Sequence, residues 1–421
     1  MTVELRAWSA EDLPVLERAN TPEMTRLLGG PETPEQVMAR HEKYLRLWRS
    51  GEAEMYRIDL DDEPVGAIGF WQAEHEGTHA YEAGWGVEPA WQGRGIAREA
   101  LRLLIARVRE RGDRQLLVAY PGAENAASNA LCRTTGFIQG RTFTEPWRGG
   151  ELTVTAWALD MSPLDLAGRI PDLDERFVDT LDREIWSPYY LPHWSSRDAA
   201  SARWRTGPDG LELRIDEDTA PWAPEWDGEV RVAHLQTGQR SGPVGSADGQ
   251  HRFREGLVVR EQQPEQRLHL VRHGVIEVRL SAVRDPRALS ALWPIGFEDA
   301  PERSGEICVC EIFGDEIDDD GGWVCVGVKA QHDPALRDAF EKVRVTGDLT
   351  TPHDYAVEWS PDRIRFFIDG RWVKTVAQAI DYPMQLMLDL YDLPRAPRAA
   401  STYPMRMRVE RIRTFPAQPA A

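Results

Sequence analysis

The sequence predicts two domains of different class: a mixed α/β layer over residues 1–161, then an all-β sandwich over residues 173–416. Three observations predict this. The chain has 421 residues, which at roughly 100–200 per domain argues for two or three folding units. Residues 1–161 alternate short apolar strands with amphipathic helices, the rhythm of an α/β layer. Beyond residue 172 helical patterns all but vanish, and short strands recur between Gly, Pro and Asp turns.

The elements follow in order. Val3–Trp8 reads as a strand. Ser9 caps a helix over Ala10–Ala19, with Asp12 as its capping-box partner. Pro34–Trp48 carries Val37, Tyr44, Leu45 and Trp48 on one helical stripe. Met55–Leu60 and Pro64–Gln72 are strands joined by a turn at Asp61-Asp62-Glu63, and Ala80–Val87 is a third. Ile96–Arg111 is a long amphipathic helix, Gln115–Tyr120 a strand, Ala126–Thr135 a helix and Thr153–Asp160 a closing strand. Residues 162–172 read as a linker. The sandwich strands are expected at Leu211–Ile215, Glu229–Gln236, Leu257–Glu261, Arg267–Leu270, Gly274–Ser281, Ile307–Phe313, Val324–Ala330, His353–Trp359, Arg363–Ile368, Met384–Leu390 and Met405–Thr414. Pro334–Phe340 looks helical, Asp315–Asp320 reads as a solvated acidic loop, and residues 417–421 as a tail.

Composition narrows the function. Hydrophobic residues make up 42% of the chain, enough for buried cores and too much for wholesale disorder. Fifty basic against 69 acidic residues give a net charge of −19, which argues against nucleic-acid or anionic-membrane partners, since both need a basic field. Lysine occurs only at positions 43, 329, 342 and 374. The amino-terminal stretch has no apolar signal core and no run of ~18 apolar residues occurs, so the expectation is a soluble cytoplasmic protein with reduced thiols. Its cysteines, Cys132, Cys308, Cys310 and Cys325, lack the paired spacing of a zinc site. The acidic stretch fits a calcium loop only at Glu316, Asp318, Asp320 and Gly321, with Gly327 where the closing glutamate belongs, so no metal is expected.

The first chemical signal is Val87-Glu88-Pro89-Ala90-Trp91-Gln92-Gly93-Arg94-Gly95-Ile96-Ala97, between a strand and an amphipathic helix. Gly93 and Gly95 let the backbone approach a ligand, and the helix start offers amides and a positive dipole end to an anion. Arg94 adds a cation, so a diphosphate suits the site. This segment resembles the acetyl-CoA loop of the GNAT acyltransferase superfamily, whose signature is Gln/Arg-x-x-Gly-x-Gly/Ala. Asn125-Ala126-Ala127-Ser128-Asn129, leading to Leu131 and Gly136-Phe137, is similar to that superfamily's later CoA-flanking helix. The resemblance spans residues 1–161. It implies acetyl-CoA as cofactor, held by Val87, Gln92, Gly93, Arg94, Gly95, Ile96, Ala97 and Asn125, in a gap where strand four splays from strand five. A small-molecule or peptide amine would be the acceptor. Glu82, on the splayed strand, is the candidate for deprotonating its ammonium. Many relatives place a Tyr near Cys132 to protonate the leaving thiolate; here that hydroxyl is absent.

The second signal is Gly305-Glu306-Ile307-Cys308-Val309-Cys310-Glu311-Ile312-Phe313, two carboxylates in an otherwise apolar strand. Burying carboxylates is costly, so the strand is expected to open on a cleft. The spacing of Glu306 and Glu311 is odd, so on a regular strand they face opposite sides, and a bulge near Val309-Cys310 would bring them together. The arrangement looks like glycoside hydrolase family 16, with its concanavalin-like jelly roll and bulged Glu-x-Asp-x-x-Glu motif. Ala291-Leu292-Trp293-Pro294, His353–Ile364 with Ile368-Asp369-Gly370, Pro383–Leu390 and Arg408–Phe415 match its flanking strands, so the resemblance covers residues 173–416. It implies Glu306 as nucleophile and Glu311 as acid/base of a retaining mechanism, roughly 5–5.5 Å apart. Trp293, Trp323 and His332 would line a cleft for a glycan or glycoconjugate. One departure stands out: the motif's middle Asp is Cys308. The expected whole is a bifunctional acetyltransferase and glycoside hydrolase; the Cys308 departure favours a second reading, a sandwich that binds glycan or protein without cleaving.

Overall fold

A computed structural model describes residues 2–418 except Gly149. It has two compact units, one ending at Ser162 and the other beginning at Pro163. Of the expected tail, residues 419–421 lie outside the described residues.

The first unit is one sheet of seven strands, β1 (Val3–Ala7), β2 (Ala53–Leu60), β3 (Glu63–His75), β4 (Thr78–Val87), β5 (Leu116–Ala119), β6 (Ile138–Trp147) and β7 (Gly150–Asp160), in the order β1-β2-β3-β4-β5-β7-β6. Only β4 and β5 run parallel; the other neighbours are antiparallel. The Ser9–Asp12 capping box forms, although it opens a 3-10 turn at Ala10–Asp12 before the helix Leu13–Ala19. Thr33 and Gln36 form a second box at the start of the Pro34–Ser50 helix. The Ile96–Arg111 helix buries Ile96, Ala100, Leu101, Leu104, Ile105 and Val108, the stripe its 3.6-residue spacing requires. The isoleucine, leucine and valine side chains among them each contribute roughly 1.5–3 kcal/mol by leaving water. β6 is a strand the pattern does not announce, because it is a mostly exposed, polar sheet edge.

The second unit is an all-β antiparallel sandwich. One sheet runs Arg371–Val376, Ile364–Ile368, His353–Trp359, Gly274–Ser281, Met405–Phe415, Gly210–Ile215, Arg203–Gly207. The other runs Arg231–Gln236, Met384–Asp392, Ala288–Gly296, Glu306–Phe313, Gly321–Lys329, with Ala339–Thr346 on the last. Leu213, Val278, Tyr355, Phe366, Leu388 and Ile312 fill the space between them. Every residue of Ala288–Gly296 and Met384–Asp392 is buried, because loops cover the second sheet's outer face. Tyr190, Trp194, Trp222, Leu257 and Val259 pack there against Trp293 and Tyr391.

Four expectations of the second unit are corrected. Leu257–Glu261 alternates like a strand but is loop, its Leu257 and Val259 pointing onto the sheet. Arg267–Leu270 shrinks to two short rungs, Gln266–Arg267 and Leu270–Val271. Pro334–Phe340 is not helical: it turns, and the Ala339–Thr346 strand begins inside it. The Asp315–Asp320 stretch is not merely solvated loop. Ile317–Asp318 pairs with Gly321 and Gly322, and Glu316 and Asp318 are salt-bridged to Lys342 and Arg344. Among the described residues, no helix is long and apolar enough to cross a membrane.

Candidate functional site

The first site arises where β4 leaves β5. The two pair only at Tyr81–Leu117 and Glu82–Val118. β3 keeps its partner as far as Val87, so β4 beyond Glu82 has one open edge. The result is a cleft of about 1870 Å³, lined by the free half of β4 together with Gly93, Gly95, Ile96, Ala97 and Asn125.

The loop after β4 is held in place by Gln92, whose side-chain amide donates to the Val87 carbonyl at 2.8 Å. Gly93 and Gly95 have φ of +72° and +79°, and a Cβ at either would meet nothing within 4 Å. Backbone there faces open space in a conformation side chains disfavour. Gly95 is the N-cap of the Ile96–Arg111 helix without a side-chain cap, leaving the first-turn amides for another acceptor. Arg94 places its guanidinium 4.9 Å over the Trp91 ring and 3.2 Å from the Ala90 carbonyl. Asn125 spends its side-chain oxygen capping the Ala126–Thr134 helix, accepting from Ser128 N–H at 3.1 Å. The glycine cradle, uncapped helix start and adjoining cleft fit a CoA pyrophosphate and pantetheine.

Glu82 lines the same cleft, and burial pushes its carboxyl up, against the Trp71 hydrogen bond and with help from Glu145. Sequence reasoning misses Tyr120, one residue past β5. Its hydroxyl is 2.8 Å from His75 Nδ1, and its pKa is raised by burial and then by the Glu82 charge. Cys132 is fully buried, its thiol pushed up to about 12 by desolvation.

The second site lies on the Glu306–Phe313 strand. Ile307, Val309, Cys310 and Ile312 all enter the inter-sheet core, so two consecutive residues, Val309 and Cys310, point inward. The ladders show the same extra residue: Cys308 faces Gly327 but Glu311 faces Cys325, and Leu292 faces Cys310 while Ile295 faces Glu306. This bulge turns Glu306 and Glu311 to one face. Lys329 Nζ touches both, 2.9 Å from Glu306 Oε1 and 2.6 Å from Glu311 Oε1. The two oxygens it bridges are therefore no farther apart than the roughly 5–5.5 Å of a retaining pair. Gln331 donates to Glu306 Oε2 at 2.7 Å. Burial raises Glu311, opposed by Lys329 and reinforced by Glu306. Cys308 is buried, its thiol raised by desolvation, with Sγ 3.4 Å from the Cys325 carbonyl.

The aromatic residues separate. Trp323 is exposed and, by strand alternation, shares the Lys329 face. Trp293 is packed into the covering cluster, its indole N–H donating to Asp389 Oδ2 at 2.7 Å and its ring 5.2 Å from His251. His332 is exposed, its backbone N–H donating to Ser304 Oγ at 2.9 Å. Lys329 escapes the sequence reading because strand register alone puts it opposite Glu306; its signal is scarcity, one lysine among four. All four cysteines are free, and among the described residues no group of three or more His, Cys, Asp or Glu is placed to hold a metal.

Comparison with known proteins bears on the two domains. Residues 2–138 match the acetyltransferase (GNAT) domain family, and residues 267–392 match glycosyl hydrolases family 16. The ribosomal-protein-serine acetyltransferase of Escherichia coli (strain K12) is 33% identical over 92 residues, 22% of this chain and 51% of that protein. The chain thus spans about half the length of the curated relative it matches. A GlcNAcα1-4Gal-releasing endo-β-galactosidase from Clostridium perfringens is 27% identical in structure alignment, covering 60% of this chain and 64% of that one, with a TM-score of 0.53. A ribosomal L7/L12 α-N-protein acetyltransferase is 26% identical over 38% of this chain and 91% of its own, with a TM-score of 0.35. The chain joins an N-terminal GNAT-type acetyltransferase domain to a C-terminal domain of the glycoside hydrolase family 16 type.

Proposed function

We propose that the N-terminal unit transfers acetyl from acetyl-CoA to an amine and that the C-terminal unit cleaves a glycan with retention. The observation carrying the first reading is the glycine cradle at the mouth of the β4–β5 gap. Acetyl-CoA, when bound, supplies the acetyl group as a thioester. Gly93, Gly95 and the helix start hold its anionic end, and Glu82 takes the proton of the acceptor ammonium. The Tyr120 hydroxyl, held by His75, is the proton donor, a role for which the buried Cys132 thiol is unplaced. The likeness to a ribosomal-protein-serine acetyltransferase makes a peptide beginning in serine the first acceptor to test.

The convergence of Glu306 and Glu311 on one ammonium carries the second reading. Glu306 is the nucleophile; Glu311, raised by burial, is the acid/base. Trp323 offers a sugar-stacking face, and the likeness to an endo-β-galactosidase makes β-galactosides the first substrates to screen. A non-cleaving glycan module is the second reading, favoured by Cys308 in place of the motif's Asp. Acetyl transfer to a seryl peptide, and release of reducing ends from a β-galactoside panel with Glu306→Gln as control, test the two activities. Glycan affinity that survives Glu306→Gln, without hydrolysis by the unmodified protein, selects the module.

A further inference from the structure

The Glu pair has a partner that no resemblance supplies. Lys329 ends the neighbouring Gly321–Lys329 strand, and register sets it opposite Glu306. Its ammonium bridges both carboxylates, while the Phe340 ring of the next strand lies 4.7 Å below it. Between the glutamates stands Cys308, a buried thiol where the resembled motif has a carboxylate. The site therefore has one acid fewer than the resembled motif, and a cation in contact with the two acids that remain.

We propose that Lys329 is the positioning residue of the hydrolytic site: one fixed counterion serving whichever glutamate carries the negative charge. This rests on the retaining reading above. In the first step Glu306 attacks the anomeric carbon and the glycosidic C–O bond breaks. The departing oxygen takes that bond's electron pair and the proton of Glu311. Glu306 is now a neutral ester and Glu311 an anion. In the second step water attacks the anomeric carbon and gives its proton to Glu311, and the ester's electron pair returns to Glu306. The charge crosses from one carboxyl to the other and back, and Lys329 Nζ contacts both ends of that path.

Of the groups facing Lys329, Glu306, Cys308 and Glu311 come from one neighbouring strand, Phe340 from the other, and Cys325 from its own. Tyr190 and Tyr391 lie near enough to the two carboxylates to feel the charges of Glu306 and Glu311. His251, on the covering loop, feels the Lys329 charge and is held down to about 4, chiefly by burial. His332 lies in the same electrostatic neighbourhood.

The experiment measures kcat/KM against pH on aryl β-galactosides, and mass labelling of Glu306 by 2-deoxy-2-fluorogalactosyl fluoride, for the full chain, Lys329→Met and Lys329→Arg. Loss of one preorganised charge predicts a fall of about 100-fold for Lys329→Met. Both limbs of its pH profile should move upward, because an anion without its counterion holds a proton more tightly. Lys329→Arg should keep the limbs in place. Active, labelled wild type with unmoved limbs and undiminished rate in Lys329→Met overturns the role of Lys329 alone. If Lys329→Met does not fold, displaced limbs in Lys329→Arg overturn it. Wild type with neither hydrolysis nor label overturns the retaining reading, and the counterion role falls with it.

Discussion

Glu82 and Val118 form the last rung between β4 and β5. Past them β4 runs on to Val87 bonded to β3 alone, and the glycine loop begins there. The opening between β4 and β5 therefore leads to backbone with free space beside it at Gly93 and Gly95. CoA should stabilise the full chain, by about 2.7 kcal/mol at one hundred times its Kd. In Gly95→Val the isopropyl group would occupy the cradle at a φ of +79°, and the CoA-induced rise in Tm should vanish. The rise is read against each protein's own apo Tm, so the backbone strain of the substitution cancels. A full rise in the variant would place the cofactor elsewhere.

Acetyl transfer should follow the ionisation of Glu82. Burial raises this carboxyl, so it gives up its proton at a higher pH than an exposed glutamate does. Activity toward a seryl peptide should therefore rise with pH along a limb displaced upward from 4.5. Glu82→Gln should remove that limb and lower kcat roughly 100-fold, the scale of a lost general base. Tyr120→Phe should lower kcat with little change in the KM for acetyl-CoA. An unchanged pH profile in Glu82→Gln would assign the base to another group.

How much of this was legible in the sequence follows from where each signal resides. Gln92, Gly93 and Gly95 are contiguous and sit at a strand-to-helix junction, so local chemistry alone exposes the cradle. The Glu306–Glu311 pair betrays its bulge because odd spacing in an apolar strand otherwise buries one carboxylate in the core. Lys329 and Tyr120 reach their positions through pairing register and the sheet's opening, which are set by partners distant in sequence. Leu257 and Val259 mislead for a related reason: an alternating apolar pair marks a surface that must be covered, and here the loop covers a sheet instead of joining one. Trp293 likewise resembles a cleft aromatic until the covering cluster encloses it.

Hydrolysis should depend on Glu306 without binding doing so. Glu306→Gln keeps the side chain's size and its contact with Gln331 while removing the nucleophile. Turnover of a β-galactoside should fall by at least about 100-fold while affinity for the same glycan, measured by calorimetry, stays within a few-fold. Equal loss of both would mean that Glu306 holds the sugar instead of attacking it.

Asp392 is fully buried and bears on stability instead of chemistry. Arg287 Nε lies 2.5 Å away, Arg231 Nη1 3.1 Å, and the Tyr403 hydroxyl donates at 2.8 Å. Asp392→Ala strands two buried guanidinium groups, which should cost about 3–5 kcal/mol of unfolding free energy. Urea unfolding measures it, and a loss below 1 kcal/mol would mean that water reaches the arginines.

Buried histidines should make the sandwich sensitive to acid. His193 is buried, with Nε2 2.9 Å from the Gln250 carbonyl, and desolvation pushes its pKa down to about 4. An unfolded histidine takes its proton near 6.5. Between pH 6.5 and 4 the unfolded chain therefore binds a proton that the folded chain refuses, and stability must fall as pH falls across that window. The gap corresponds to about 3 kcal/mol when fully expressed. His251, also pushed down to about 4, adds a slope of the same sign. His193→Gln retains a donor for Gln250 but has nothing to titrate, so its unfolding free energy should lose the His193 part of the slope, up to about 3 kcal/mol when fully expressed. The comparison is urea unfolding of both proteins at intervals from pH 7 to pH 4.5, where shared carboxylate contributions cancel. Parallel curves would show that His193 takes up its proton in the folded state, through water reaching the Nδ1 side of the ring.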